Sequence, residues 1–418
     1  MTASASAVAT VLLTGAASGI GRAAAGLFAA AGWRCVLVDR DLAGLQRLAA
    51  ELPAAQGVPH LLRSVDLTDP AQVAGLRAET PALDALVNNA GMSDLSGTGL
   101  AEQPPAQLDR LLALNLRAPA AVVDACLPLL RAGARIVNVA SGAGLQAIPW
   151  RGAYSASKAG LIAQTRALAR ARPDLCVTVL CPGFVRTELV DGLIAAGRLA
   201  PANAVAKIPL GRMAAPHEMA RALLFLASPG AAPLHGGLLA VNGGSSVFGG
   251  SQPFALSAFE PLPAEAPLRL AIDGGDAAPW RGVAPALGEG AGYDGCLDVS
   301  ALASPPGGLL AAVHAAAARF AARHADRASL TLLLPADGDD ASADWRIAGD
   351  GAAARMLVAT LACEWGARAL RINAVELPRG SDPLPLHPLL RYLAGAQAQY
   401  LTGQVLACRA TDDRQDIA

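Results

Sequence analysis

Over the first 250 residues, short apolar runs alternate with longer amphipathic stretches. The runs lie at 8–13, 34–38, 60–65, 85–88, 134–139, 176–181 and 238–241. Several, such as Val11-Leu12-Leu13 and Val36-Leu37-Val38, are apolar almost throughout, as strands buried on both faces must be. Stretches of helical length separate most of them, for example 22–31 and 154–170. Strands alternating with helices predict an α/β fold in which a parallel sheet is covered on both faces.

After Asn242-Gly243-Gly244 the pattern stops. Residues 249–267 are rich in Pro, Gly and Ser without clear periodicity and read as a linker. The remainder, 268–418, is rich in Ala and Leu. It offers strands at 268–272, 330–334, 370–375 and 404–407, and helices at 306–324 and 351–365. An internal repeat joins the halves. The stretch from Leu361 to Val375 matches the role of 168–180, and Tyr400-Leu-Thr-Gly-Gln-Val-Leu-Ala407 parallels 234–240. The expected division is therefore a domain at 1–248, the linker, and a second, smaller α/β domain at 268–418.

Composition narrows the partners. Of 418 residues, 53% are hydrophobic and 16% charged, with a formal net charge of −1. A large core is expected, and nothing in the charge invites nucleic acid or a membrane surface. The seven cysteines sit singly in apolar segments and read as reduced, buried thiols. The six histidines form no ligand pattern, so no catalytic metal is expected. No basic region leads into an apolar core at the N-terminus, and charges or glycines break the apolar runs short of the ~20 residues that span a bilayer. A soluble cytoplasmic protein is the expectation.

The chemistry begins at Thr14-Gly-Ala-Ala-Ser-Gly-Ile-Gly21, which lies between a predicted strand and a helix. Gly15 permits a tight turn, Gly19 lets the backbone approach a pyrophosphate, and Gly21 allows close packing of helix on strand. Amides at the helix start (Ser18, Gly19, Ile20) are natural anion donors. Asp39 ends the second strand about 20 residues on, placed to accept hydrogen bonds from ribose hydroxyls. A carboxylate there repels a 2′-phosphate and favours NAD over NADP, whereas the neighbouring Arg40 is able to hold that phosphate. Tyr154 and Lys158 stand four residues apart, on one face of a helix. An ammonium near a phenol favours phenolate, so Lys158 is expected to lower the Tyr154 pKa and ready it as general acid or base.

Taken in order, Thr14 to Gly21, Asp66, Asn88-Asn89-Ala90-Gly91, Asn115, Ser141, Tyr154-x-x-x-Lys158 and Pro182-Gly183 resemble the short-chain dehydrogenase/reductase family. The resemblance covers residues 8–244. It implies a Rossmann-type doubly wound sheet, a nicotinamide cofactor and a catalytic tetrad of Asn115, Ser141, Tyr154 and Lys158. Tyr154 exchanges a proton with the substrate oxygen and Ser141 holds that oxygen. Lys158 binds the nicotinamide ribose, and Asn115 supports a water that continues the proton relay. Asp66 and Leu67 meet the adenine, while Asn89, Ala90 and Gly91 line the cleft. Pro182, Gly183, Val185 and Thr187 hold the nicotinamide. The reaction implied is hydride transfer between nicotinamide and a carbonyl or secondary alcohol. An NAD-sensing binding protein is the non-enzyme alternative, against which the complete tetrad argues.

The second half departs from the pattern. Counting back from Glu364 puts Ile347 near the tyrosine position and Gly351 near the lysine position, and Asp273-Gly-Gly-Asp276 is too short and acidic for a pyrophosphate. This half is expected to be a degenerate relative without a cofactor site. The resemblance implies pairing of family members through a four-helix bundle, and the helices at 306–324 and 351–365 are candidates for such pairing. On that reading the half serves as a built-in partner subunit, two chains form a homodimer that imitates the family's tetramer, and an independent binding module is the alternative.

For substrate, the resemblance points to segments after Ser141, before Tyr154 and after Gly183. They supply Gly142, Leu145, Ile148, Trp150, Phe184 and a lid at 188–210. The apolar lining favours a neutral cyclic or hydrophobic small molecule; Trp150 reads equally as core. Arg151 and Arg186 either bind a carboxylate or face solvent. Arg166, Arg170 and Arg172 follow the catalytic helix without acidic neighbours and keep open a 3-oxoacyl-thioester reductase (acyl carrier protein or CoA).

Overall fold

The computed structural model describes residues 8–408 apart from 79, 95–102, 147, 149, 150, 152, 198, 250–252, 286–291, 306 and 337–349. The chain divides into two compact units. One comprises the residues up to Pro182 with Arg186–Asp191 and Ala215–Ser228; the other comprises Gly183–Val185, Gly192–Ala214 and the residues from Pro229 on.

Seven strands form the first sheet: β1 Thr10–Thr14, β2 Arg34–Asp39, β3 Leu61–Ser64, β4 Leu83–Asn88, β5 Leu130–Val139, β6 Cys176–Pro182 and β7 Leu238–Val241. Their order is β3-β2-β1-β4-β5-β6-β7, and the pairings from β3 to β6 are parallel. The order reverses beside β1, and ligands of such sheets bind at the carboxyl ends of strands flanking that point. Helices of this region are α1 Gly19–Ala30, α2 Leu42–Glu51, α3 Pro70–Gly75, α4 Pro105–Leu112, α5 Ala118–Cys126, α6 Tyr154–Ala171, α7 Glu188–Ala195, α8 Pro201–Val205 and α9 Pro216–Leu226. Local chemistry starts several of them. The Asp41 carboxylate accepts from Gly44 N at 2.9 Å to cap α2, and Asp69 accepts from Ala71 N at 2.9 Å to cap α3. One apolar core joins β1, β2, β4 and β5 to α3 and α5 through Leu12, Val36, Leu86, Ile136, Val73 and Val122.

All seven strands anticipated in this region are present, with ends shifted by up to four residues. The run Pro105–Leu129 is long and apolar enough to pass for a membrane span on length and composition alone. It is interrupted by a π turn at Ala113–Arg117 whose Asn115 is buried and hydrogen-bonded within the first unit, which marks it as part of that unit's core.

The second unit holds a five-stranded sheet of β8 Leu268–Asp273, β9 Tyr293–Asp298, β10 Ala328–Pro335, β11 Arg371–Leu377 and β12 Val405–Ala407, in the order β12-β11-β10-β9-β8 and wholly parallel. That sequential order equals β1-β4-β5-β6-β7 of the first sheet with β2 and β3 removed. Side chains alternate across β10 and β11. Leu330, Leu332, Ile372 and Ala374 meet α10 Leu309–Arg323 and α11 Asp350–Trp365. Ser329 and Arg371 instead bond to carbonyls of α12 His387–Ala394. Both faces are thereby covered, as a parallel sheet requires. β9 was not anticipated. Its sequence, Tyr-Asp-Gly-Cys-Leu-Asp, reads as polar, yet Asp298 is 1% exposed because Arg319 pairs with it at 2.7 Å.

Candidate active site

The first unit gathers its chemical groups at the carboxyl ends of β1, β4, β5 and β6. After β1 the chain turns at Gly15, which has φ +67°, and a Cβ there would lie 2.9 Å from Ala90 Cα. A Cβ on Gly21 would fall 1.9 Å from Gly15 O, so only glycine lets α1 start this close to the strand. Asn89 locks the turn, its Nδ2 donating to Thr14 O at 3.0 Å and to Gly15 O at 3.2 Å. Thr14 Oγ1 in turn accepts from the backbone of Asn89 and Ala90 at 3.0 and 3.1 Å.

The residues fit a dinucleotide. Gly19 N already donates to the Glu188 carboxylate at 3.1 Å, so this amide takes an anionic oxygen in the place where the resemblance puts a pyrophosphate. Ser18 caps α1 with its backbone alone and leaves its side chain uncommitted to the helix start, and Ile20 follows half-buried. Thr187 packs beside Gly19, its Cγ2 lying 3.3 Å from where a Cβ would be. Asp39 accepts from Ala17 N and Asp41 N, both at 3.1 Å, one per carboxylate oxygen. Arg40 is exposed, and its charge helps hold the Asp66 carboxyl below the usual range, after the larger effect of the hydrogen bonds from Thr68. Leu67 is buried beside it.

The tetrad residues come together. Ser141, just after β5, accepts from Ala143 N at 3.1 Å, and it acts on the Tyr154 phenol at the start of α6 to lower its pKa. Lys158, one turn along, is 4% exposed, donates to Val139 O at 3.0 Å, and has its Nζ 5.9 Å from the Tyr154 ring centre. Gly91 leaves room for this arrangement, since a Cβ there would sit 3.2 Å from Lys158 Nζ and 3.3 Å from Asn115 Oδ1. Asn115 Oδ1 accepts from Met92 N at 2.9 Å, and its Nδ2 donates to Met92 O at 2.8 Å and to Ser157 Oγ at 3.1 Å. The π turn that aims Asn115 was not legible in the sequence, and neither was Ser157.

One electrostatic expectation is corrected. The Tyr154 pKa is raised, because burial outweighs the lowering effects of the Ser141 hydrogen bond and Arg151, and Cys181 adds to the rise. Lys158 does not drive it down. Burial pushes Lys158 itself down to about 8, which weakens the cation that was to favour phenolate. The cysteines are free thiols, and burial pushes Cys181 up to about 12, so it is inert near neutral pH.

The substrate candidates are partly placed. Gly142 lies against Pro182 O, which is 3.5 Å from where its Cβ would be, and Leu145 is 40% exposed; Ile148 is also exposed. Trp150 lies outside the described residues. Gly183, Phe184 and Val185 belong to the second unit, where Gly183 N donates to Val241 O at 3.1 Å and Phe184 O accepts from Ala214 N at 2.8 Å. Val185 forms a parallel bridge with Ala214. Arg186 is paired with Asp191 at 2.7 Å. Arg172, expected to lack an acidic neighbour, is held by Asp174 through bonds of 2.8 and 2.6 Å, because Asp174 sits just past the helix end.

In the second unit the place of the glycine turn is taken by Asp273-Gly274-Gly275. Arg323 pairs with Asp273, and Asp298, in the position Asn88 holds in the first sheet, is paired with Arg319. Gly351 lies buried in the first turn of α11, and Ile347 falls outside the described residues.

Comparison with known proteins agrees with this geometry. Residues 15–246 match the family model described as enoyl-(acyl carrier protein) reductase. An uncharacterised short-chain type dehydrogenase/reductase of Sinorhizobium fredii is 42% identical over 240 residues, 56% of this chain but only 43% of that protein. D-threitol dehydrogenase of Mycolicibacterium smegmatis is 37% identical over 56% of this chain and 92% of its own length. The 3-oxoacyl-[acyl-carrier-protein] reductase FabG of Escherichia coli is 34% identical over 56% of this chain and 95% of its own. Among solved structures, a short-chain dehydrogenase/reductase (glucose/ribitol dehydrogenase) from Brucella melitensis superposes with a TM-score of 0.51 at 31% identity, covering 57% of this chain and 96% of that one. The chain belongs to the short-chain dehydrogenase/reductase family of oxidoreductases. Members of this family generally use NAD or NADP.

Proposed function

We propose that the protein is an NAD(H)-dependent oxidoreductase that interconverts a secondary alcohol and a ketone, with Tyr154 as the general acid/base, on a neutral cyclic or hydrophobic small molecule. The observation that carries this reading is Lys158, buried one turn along α6 with its Nζ 5.9 Å from the Tyr154 ring centre, beside a phenol on which Ser141 also acts. When bound, the nicotinamide supplies the hydride chemistry. The chain's own groups do the rest. Ser141 orients the substrate oxygen beside the phenol, and Tyr154 Oη gives or takes the proton. Burial holds that proton on Tyr154 at neutral pH, so the resting protein is set to donate to a carbonyl, and alcohol oxidation gains as pH rises.

NAD over NADP is argued from Asp39, whose second-strand carboxylate repels a 2′-phosphate. A 3-oxoacyl-thioester substrate is the second reading, favoured by the FabG relatives. The test is NADH formation by the purified protein over a panel of secondary alcohols, in parallel with NADP, followed by acyl thioesters with NADH and NADPH. We also propose that the protein is soluble and cytoplasmic and forms a homodimer of two-domain chains, the last of which light scattering on the purified protein checks.

A further inference from the structure

The chain that runs on from the Pro182-Gly183 turn is tied down inside the second unit. Ala206 O accepts from Phe254 N at 3.0 Å, Gly211 O accepts from Ser257 N at 2.8 Å, and Leu210 N donates to Gly243 O at 3.2 Å. The centre of this knot is Tyr400. It is 1% exposed, its hydroxyl donates to Arg212 O at 2.9 Å, its carbonyl accepts from Gly243 N at 2.9 Å, and the Arg212 guanidinium lies 4.8 Å from its ring centre. Backbones meet closely as well. A Cβ on Gly366 would fall 2.0 Å from Pro209 O, and one on Gly244 would lie 2.9 Å from Pro209 Cγ and 3.2 Å from Thr402 Cγ2. At its other end, in the first unit, the same loop is held by Glu188 on Gly19 N.

We propose that Tyr400 is a positioning residue, through which the C-terminal half clamps residues 206–212 of the substrate loop. The role of the second unit is then to preset this loop rather than to carry a second site. This rests on the reading of the loop as the substrate lid. The physical gain is entropic. Each residue left free must be ordered when substrate binds, at a cost in backbone entropy, and an end already fixed removes part of that cost.

The test is hydrogen exchange by mass spectrometry on the full chain, comparing wild type with Tyr400→Phe, which keeps the ring and removes the hydroxyl that bonds Arg212 O. An Arg319→Gln control loosens the second unit elsewhere, at the ion pair with Asp298. Tyr400→Phe is expected to speed exchange in peptides covering 206–213 by about fivefold, the worth of one net hydrogen bond, with β11 peptides unchanged. The control should leave 206–213 unchanged. With any turned-over substrate, Tyr400→Phe should raise its KM at least about threefold, while kcat and NADH affinity stay within about twofold. Unaltered exchange in 206–213, equal loosening throughout the second unit, or a loss confined to kcat would overturn the clamp. Failure of the enzyme reading looks different, since wild type itself would then neither bind NADH nor turn over any substrate, while the exchange result still decides the clamp.

Discussion

Asn115 and Ser157 are bonded side chain to side chain at 3.1 Å, and Ser157 Oγ passes the link on to Tyr154 O at 2.7 Å. A buried chain of polar groups therefore runs from the π turn to the first turn of the catalytic helix. That turn has no side-chain cap, since Ala153 precedes it. The expected consequence of Ser157→Ala is a fall in kcat of about tenfold, the equivalent of about 1.4 kcal/mol. NADH affinity should hold within twofold by fluorescence titration. A kcat equal to wild type would remove Ser157 from the account.

Lys158 is held in the protein against its own solvation. With its pKa pushed down to about 8 from 10.5, the unfolded chain binds more protons than the folded one between those values. Stability from this group accordingly rises with pH across that window, and at pH 7 the charged form costs about 3 kcal/mol. Lys158→Met removes that cost and leaves Val139 O without its donor, an offset of about 1–3 kcal/mol. The variant is expected to be inactive yet at least as stable as wild type at pH 7, with its advantage gone by pH 10. Chemical denaturation at the two pH values is the check, and a loss of stability at pH 7 is the adverse result.

On the proposed reading, cofactor choice turns on Asp39. Asp39→Ala should weaken NAD by about 10-fold or more, since hydrogen bonds to a charged group are worth about 1.5–3 kcal/mol, and should narrow the gap to NADP. Kd values for both cofactors measure this. A variant that keeps wild-type preference would move the determinant elsewhere, with Arg40 the next residue to change.

Arg371 is 1% exposed and has no carboxylate among its partners in the described residues. It donates to the carbonyls of Leu393, Gly395, Ala398 and Leu401 at 3.0–3.1 Å and to the Tyr293 hydroxyl at 2.8 Å. These bonds staple the segment after α12 to the sheet. Arg371→Met removes the guanidinium's bonds to four carbonyls, of which Gly395, Ala398 and Leu401 keep a second donor, and should destabilise the second unit by about 3–5 kcal/mol. Calorimetry is expected to show an earlier, separate transition; an unshifted thermogram would contradict it.

How far the sequence discloses all this depends on whether a feature is local. The glycine turn, Asp39, and the Tyr154–Lys158 spacing are fixed by backbone geometry within a few residues, so they can be read directly. The π turn at Asn115 depends on a tertiary bond to Met92, and no local pattern announces it. β9 escaped because its aspartates look exposed until Arg319, from a helix 21 residues on, neutralises Asp298. The direction of the Tyr154 pKa failed for a related reason. Spacing gives the neighbour's charge, whereas burial, the larger effect, is a property of the folded unit. The segment at 249–267 has no regular element among its described residues. It is nonetheless anchored, as Leu262 and Gln399 exchange two hydrogen bonds at 2.9 and 2.7 Å.

The central claim is that Tyr154 moves the proton in a nicotinamide-dependent reaction. The direct test is turnover of NAD with a panel of secondary alcohols by wild type and by Tyr154→Phe. The account predicts a loss of about 10²–10⁴-fold in kcat, wild-type NADH binding in the variant, and a wild-type oxidation rate that climbs with pH above neutrality. Turnover by Tyr154→Phe at the wild-type rate would contradict it.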